Sequence, residues 1–227
     1  MRWPTRWKRW SRIISAKACR AAKVAERKPY HHGNLRQALI EATAALIEEM
    51  GPQAFTMAEA ARRAGVSAAA PYRHFKGRED LIEEVARQGF VDFSRRLEAA
   101  FDGGRPRVLT AFLRLGQAYL DFARERPGYY MAMFESGISI AANAELAQAS
   151  ERAQAVLLDA AEGLASHLPP ERRPPARMVA NHIWAMSHGV VELFSRGAPG
   201  RRSSVEPAEM LESGVIIYLR GLGLIGD

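Results

Sequence analysis

The stretch from Thr56 to Leu81, TMAEAARRAGVSAAAPYRHFKGREDL, constrains this chain more than any other. Thr56 stands three residues before Glu59, the spacing of a capping box, in which each side chain satisfies an orphan amide at a helix start. Ala61 and Gly65 are four apart. A small residue on this second helix admits a close helix neighbour, and Gly65 can take the positive φ that ends it. Val66 is then free to turn into the core, and Ser67 follows as a second N-cap. The spacing predicts a short helix over Ala68–Phe75, then a third helix opening near Arg78. The grammar is that of a helix-turn-helix.

A helix-turn-helix lays one helix across the DNA backbone and sends the next into the major groove. The run G-V-S-x-x-x-P-Y-x-H-F-x-x-R-x-x-L, Gly65 to Leu81, resembles the DNA-binding core of the TetR (tetracycline-repressor) family. The preceding YHHGNLRQALIEATAALIEEMG, Tyr30 to Gly51, resembles that family's first helix. The resemblance implies a three-helix DNA-binding head followed by a helical body that binds a small molecule and dimerises.

Charge distribution agrees with a head and an arm. The net charge is +7, yet residues 1–30 hold ten of the 32 Lys and Arg and one of the 25 acids, so the rest of the chain is slightly acidic. The basic character belongs to an arm and carries little weight on its own as a nucleic-acid signal. Within residues 1–28, Trp3, Trp7, Trp10 and Ile14 recur at helical spacing beside arginines. Such a segment suits an anionic membrane or DNA, and equally a disordered extension. Cys19 is the single cysteine, which excludes an intrachain disulfide and fits a reducing cytoplasm. We expect no membrane span, because no apolar run is long enough.

The chain reads as all-α, with about nine helices: a basic arm over 1–28, a helix-turn-helix domain over 29–80, and a ligand-binding and dimerisation domain over 81–227. Asn34 is placed to cap the first helix, whose apolar stripe is Leu35, Leu39, Ala42, Leu46 and Met50, and Gly51-Pro52 stops it. The linking helix runs from about Arg78 to Ala100, with Leu81, Val85, Phe90, Phe93 and Leu97 on its buried side. FDGGRP over 101–106 is a loop. Helices then follow from Arg107 to Arg126, over Pro127–Phe134, Asn143–His167, Arg177–Ser195 and Pro207 to about Leu222. HLPPERRPP over 167–175 reads as loop because of its prolines, and GAPGRRSS over 197–204 as a second loop.

No nucleophile–base pair, metal cluster or phosphate-cradling glycine loop is legible, so neither catalysis nor a metal or cofactor is expected. His31 and His32 lack a third ligand at metal spacing and read as solvated or phosphate-facing. On the head, Thr56 and Ser67 stand at helix starts, where free amides favour phosphate. Tyr72 can pack on a thymine methyl or sugar, or pack into the core as Phe75 does. His74, Lys76 and Arg78 are donors suited to phosphates. Arg73 has the fork that matches guanine O6 and N7, and suits a phosphate equally well. Ala68 and Ala69 permit close approach and contact with thymine methyls.

In the body, W-A-M-S-H-G over 184–189 resembles the W-x-x-x-H-G signature of one C-terminal subclass of the family. Its helix carries two stripes. Val179, Ile183, Met186, Val190 and Leu193 form one; Trp184, His188 and Val191 face another way, which suggests burial both within the subunit and against a partner. In the family this helix and the last one form a four-helix dimer interface. Trp184 and His188 are expected on the wall of an effector pocket, with Tyr119, Phe122, Tyr130, Met133 and Phe134 opposite; core packing is the competing reading. The expected effector is small, largely apolar or aromatic, with one hydrogen-bonding group. The whole reads as a homodimeric repressor released from a near-palindromic operator by its ligand. The alternatives are a constitutive DNA-binding scaffold with a fully packed body, or a membrane-associated protein using the arm.

Overall fold

A computed structural model of the chain describes residues 35–195 and 205–226. The arm, His31, His32, the Asn34 cap and the 197–204 loop therefore lie outside the described residues. Eight α-helices and no strand occur among those described: α1 (Leu35–Met50), α2 (Met57–Arg63), α3 (Arg78–Phe101), α4 (Val108–Glu125), α5 (Pro127–Phe134), α6 (Ala144–Ala165), α7 (Ala176–Val190) and α8 (Pro207–Gly221). The fold class is as expected and the count falls one short of nine, for a reason found at Pro71.

Local chemistry sets the boundaries. Thr56 Oγ accepts from the Glu59 amide while Glu59 takes the Thr56 amide at 2.8 Å, so the capping box opens α2. Gly65, at φ +75°, closes it. The Gly65 amide donates to Arg62 O and the Val66 amide to Ala61 O, the paired bonds of a Schellman end. Asn143 caps α6 by accepting from the amides of Glu145 and Leu146.

The expected helix over Ala68–Phe75 is a correction. The segment is a turn at 68–70 followed by a single 3-10 turn, Pro71–Arg73. Proline has no amide to offer Ser67 O four residues back. That carbonyl accepts from Ala70, three residues on, and the tighter winding persists. Further 3-10 turns, Asp102–Gly104 and Pro170–Arg172, lie in the two stretches read as plain loop at 101–106 and 167–175. Met50 is 42 % exposed and leaves the predicted stripe, whereas Ile40, Ala44 and Ile47 join it, so the buried face of α1 is broader than the stripe expected.

The core is continuous from Leu39 to Leu224. Helix α3 is its axis. It is 24 residues long, and its buried face (Leu81, Ile82, Val85, Ala86, Phe90, Phe93, Leu97) serves α1 at one end and α4, α5 and α6 along the rest. Two glycines permit close contacts, the first against backbone that cannot give way and the second against a flexible side chain. A Cβ on Gly128, at the start of α5, would lie 1.9 Å from Ala44 O of α1. A Cβ on Gly89 would meet the Met133 sulfur at 2.6 Å. Helix α5 therefore sits directly on the backbone of α1 and close against α3.

Candidate nucleic-acid interface and interior aromatic cage

On the head, the expected contact residues form one exposed row. Thr56, Ser67, Ala68, Ala69, Tyr72, Arg73, His74 and Lys76 are all exposed. Tyr72 is 61 % exposed and Phe75 only 3 %, so the tyrosine is not a core residue and the phenylalanine is. Pro71 is buried beneath them and fixes the turn that presents Tyr72 and Arg73.

Arg78 departs from this row: it is half-buried, and its guanidinium already has protein partners. Its guanidinium donates to Pro52 O at 2.7 Å and to Gln53 Oε1 at 2.9 Å, and lies over the Phe55 ring at 5.7 Å. It braces the turn between α1 and α2. Thr56 is also more committed than a helix start suggests, since the Glu59 carboxylate already occupies its amide and hydroxyl. The Asp80 carboxylate accepts from the Lys76 amide at 2.8 Å, which leaves the Lys76 ammonium as that residue's outward donor.

Behind the row lies a polar node that sequence reasoning missed. Glu84 is 7 % exposed and binds Arg36 of α1 at 2.8 Å, both Nε and Nη2 of Arg87, and Gln88. Burial alone would raise its pKa; the bonds from Arg87, Arg36 and Gln88 outweigh that and hold it at about 2. Arg36 in turn lies over the Phe75 ring at 5.3 Å, so the segment that follows the 3-10 turn and α3 share one ion-paired brace.

In the body, α4, α5 and α7 bring most of the expected pocket residues together. His188 Nδ1 is 2.8 Å from the Tyr130 hydroxyl and 3.1 Å from that of Tyr119. Trp184 meets Tyr119, Phe134 and Phe93 edge-on at 5.9–6.0 Å between centroids. Phe134 stands 5.2 Å from the His188 ring and 4.9 Å from Tyr130. Phe122 joins through Phe93 at 5.0 Å. Met133 is placed differently, against Gly89 of α3.

Three participants were not expected as cage residues. Phe90 and Phe93 of α3 close one side, and had been read only as helix core. Glu192 accepts a hydrogen bond from Tyr130. It lies four residues after His188 in a π-turn, Val191–Ser195, that extends α7; the spacing Trp184, His188, Glu192 was the available signal. Burial, the main cause, raises the phenol pKa of Tyr119 and Tyr130 far above the ordinary value, so both are neutral hydrogen-bonding groups.

The two stripes on α7 are also redistributed. Val179, Ile183 and Val190 of one and Val191 of the other are all buried within the subunit. Leu193 of the first stripe is outward at 69 % exposed, as are Met178 of α7 and Ile217 of α8, the latter at 70 %. Between them His182 Nδ1 and the Tyr218 hydroxyl lie 2.8 Å apart, joining α7 to α8.

Comparison with known families resolves the type. Residues 39–85 match the family of bacterial regulatory proteins of the tetR type, and residues 112–216 match a tetracyclin repressor-like C-terminal domain. The chain is a TetR-family transcriptional regulator. The N-terminal match covers α1, α2 and the 3-10 turn, and so assigns DNA binding to the head. Solved structures agree in fold. A Rhodococcus protein of unknown function is 26 % identical with a TM-score of 0.71, covering 86 % of this chain and 98 % of its own. The TetR-family regulator PfmR of Thermus thermophilus is 18 % identical at a TM-score of 0.63, covering 80 % and 97 %. The fatty acid degradation regulator FadR of Bacillus halodurans is 14 % identical at 0.67, covering 84 % and 97 %. No curated protein matches. Among the described residues, no helix is long and apolar enough to cross a membrane, and no group of three or more His, Cys, Asp or Glu is placed to hold a metal ion.

Proposed function

We propose that this TetR-family regulator is a homodimeric repressor that leaves its operator when a small effector enters the body. The observation that carries the reading is the double duty of α5. Its Tyr130 and Phe134 form a wall of the aromatic cage, and its Gly128 rests on the α1 backbone of the head. A ligand that parts the rings must displace α5, and α1 cannot stay in place if α5 moves. An effector shifts the protein only by favouring one arrangement over the other, and this linkage supplies a difference between them.

The DNA-contact role of Ser67, Ala68, Ala69, Tyr72, Arg73, His74 and Lys76 is supported by their shared exposure. Homodimerisation is supported by the exposed apolar residues on α7 and α8. Two heads of such a dimer read half-sites about 34 Å apart, one turn of DNA. Selection of operator fragments from a random pool with the full-length protein tests this: paired half-sites at one-turn spacing are expected, and single unpaired sites would overturn it. His188→Ala should keep dimerisation and operator affinity and abolish ligand release. Unfolding of the body by that change would return His188 to a packing role.

A further inference from the structure

We propose that Gln53, in the turn between α1 and α2, is a positioning residue that sets how strictly this regulator discriminates the spacing between half-sites. The proposal rests on the paired half-site reading above, and adds to it a residue that acts through the fold.

The Gln53 amide joins the head to the body. Its Nε2 donates to Ser136 O at 2.6 Å, and its Oε1 accepts from Arg78 Nη2 at 2.9 Å. A carbonyl only accepts and a guanidinium only donates, so the two partners fix which way the amide faces. A carboxylate at this place serves Arg78 alone, and an ammonium serves Ser136 alone. Both partners are themselves held. Arg78 opens α3 and also donates to Pro52 O at 2.7 Å. Ser136, just past the end of α5, is 5 % exposed, and its Oγ donates to Ala132 O at 2.6 Å.

Two contacts therefore tie the ends of α5 to the head. Near its start Gly128 rests on Ala44 O, and beyond its end Ser136 O takes the Gln53 amide. The Gly128 contact alone lets α1 swivel about that point. Gln53 lies nine residues after Ala44, roughly 10 Å away through helix and turn, so its bond opposes the swivel at the end of an arm. A half-site moved by one base pair is displaced by about 3.4 Å along the duplex and turned by about 35° around it. A head follows it by swivelling on the body, and that swivel stretches the Gln53 bond. One hydrogen bond lost at a head is worth up to about tenfold in affinity.

The test uses full-length protein and selection from a random pool. Competition then follows among fragments that carry the selected half-sites at the selected spacing, one base pair closer, and one base pair farther apart. Wild type should favour the selected spacing by about tenfold. Gln53→Glu keeps the acceptor for Arg78 and loses the donor to Ser136 O. It should bring the spacing preference down to about twofold, with the base preference inside each half-site unchanged. That pairing separates lost position from lost contact. Gly137→Ala attacks the same bond from the body. Gly137 sits at φ +73°, which a Cβ disfavours, and turning that angle re-aims the Ser136 carbonyl. Its effect should match that of Gln53→Glu, and the double variant should lose no more than either single one. Gly137→Ala decides the question if Gln53→Glu fails to fold. An undiminished spacing preference in either folded variant would overturn the proposal and leave the repressor reading standing. So would a base preference altered as much as the spacing, or additive losses in the double variant. Single unpaired sites selected by wild type would overturn both.

Discussion

Arg78 and Lys76 are two residues apart and both basic, yet they answer to different physics. Arg78→Ala removes two hydrogen bonds to the α1–α2 turn and a cation over Phe55. It should cost about 1–3 kcal/mol of stability, read from urea unfolding. The slope of operator affinity against salt should stay as it is. Lys76→Ala should do the reverse: unchanged unfolding, and a salt slope flatter by about one unit. Glu84 makes a pH prediction. Its folded-state pKa of about 2 lies below the ordinary 4.5, so its contribution is full above pH 4.5 and fades as pH falls toward 2. At neutral pH that contribution is at most about 3 kcal/mol. Glu84→Gln should therefore lower the melting temperature at neutral pH and flatten its fall on the acid side. Thr43 is fully buried with an unpartnered hydroxyl, and Thr43→Val should raise stability by about 1 kcal/mol. The outward row Tyr72, Arg73, His74, Lys76 could be read from the chain because its neighbours are caps and turns. The inward turn of Arg78 could not, because its partners lie 25 and 26 residues away and only packing joins them.

At the scale of elements, boundaries were legible wherever a local chemical signal set them. Thr56 with Glu59, Gly65, Asn143 and Pro207 each mark an end of the helix expected there. Pro71 was equally visible inside the helix expected over Ala68–Phe75. Its missing amide instead left a 3-10 turn where an α-helix was expected. The function of α5 was half legible. Its aromatic content pointed to the cage, but nothing in PGYYMAMF says that Gly128 touches the backbone of a helix more than 80 residues earlier. Gly128→Ala tests that contact. With a Cβ 1.9 Å from Ala44 O, a destabilisation of about 3 kcal/mol or more is expected. Faster amide exchange in α1 should accompany it, and an unaltered melting curve would show that the helices have room to part.

On the whole molecule, the exposed Leu193 and Ile217 set the assembly prediction. Leu193→Glu with Ile217→Glu should give monomers by sedimentation, with operator affinity lost because one head alone spans one half-site. Persistence of the dimer would move the interface elsewhere. A further consequence follows from α3, which carries Arg78 at the head and Phe93 in the cage. That distance is 15 residues of unbroken helix, roughly 22 Å at 1.5 Å per residue. A rod of that length works as a lever. A tilt of about 5° at the rings sweeps the far end through roughly 2 Å. In the proposed two-fold dimer the sweeps would oppose each other, changing the gap between the heads by about 4 Å against the ~34 Å repeat of the duplex. The duplex keeps its pitch, so under the proposed effector reading a small molecule leaning on one end of the lever would put the other out of step with the groove.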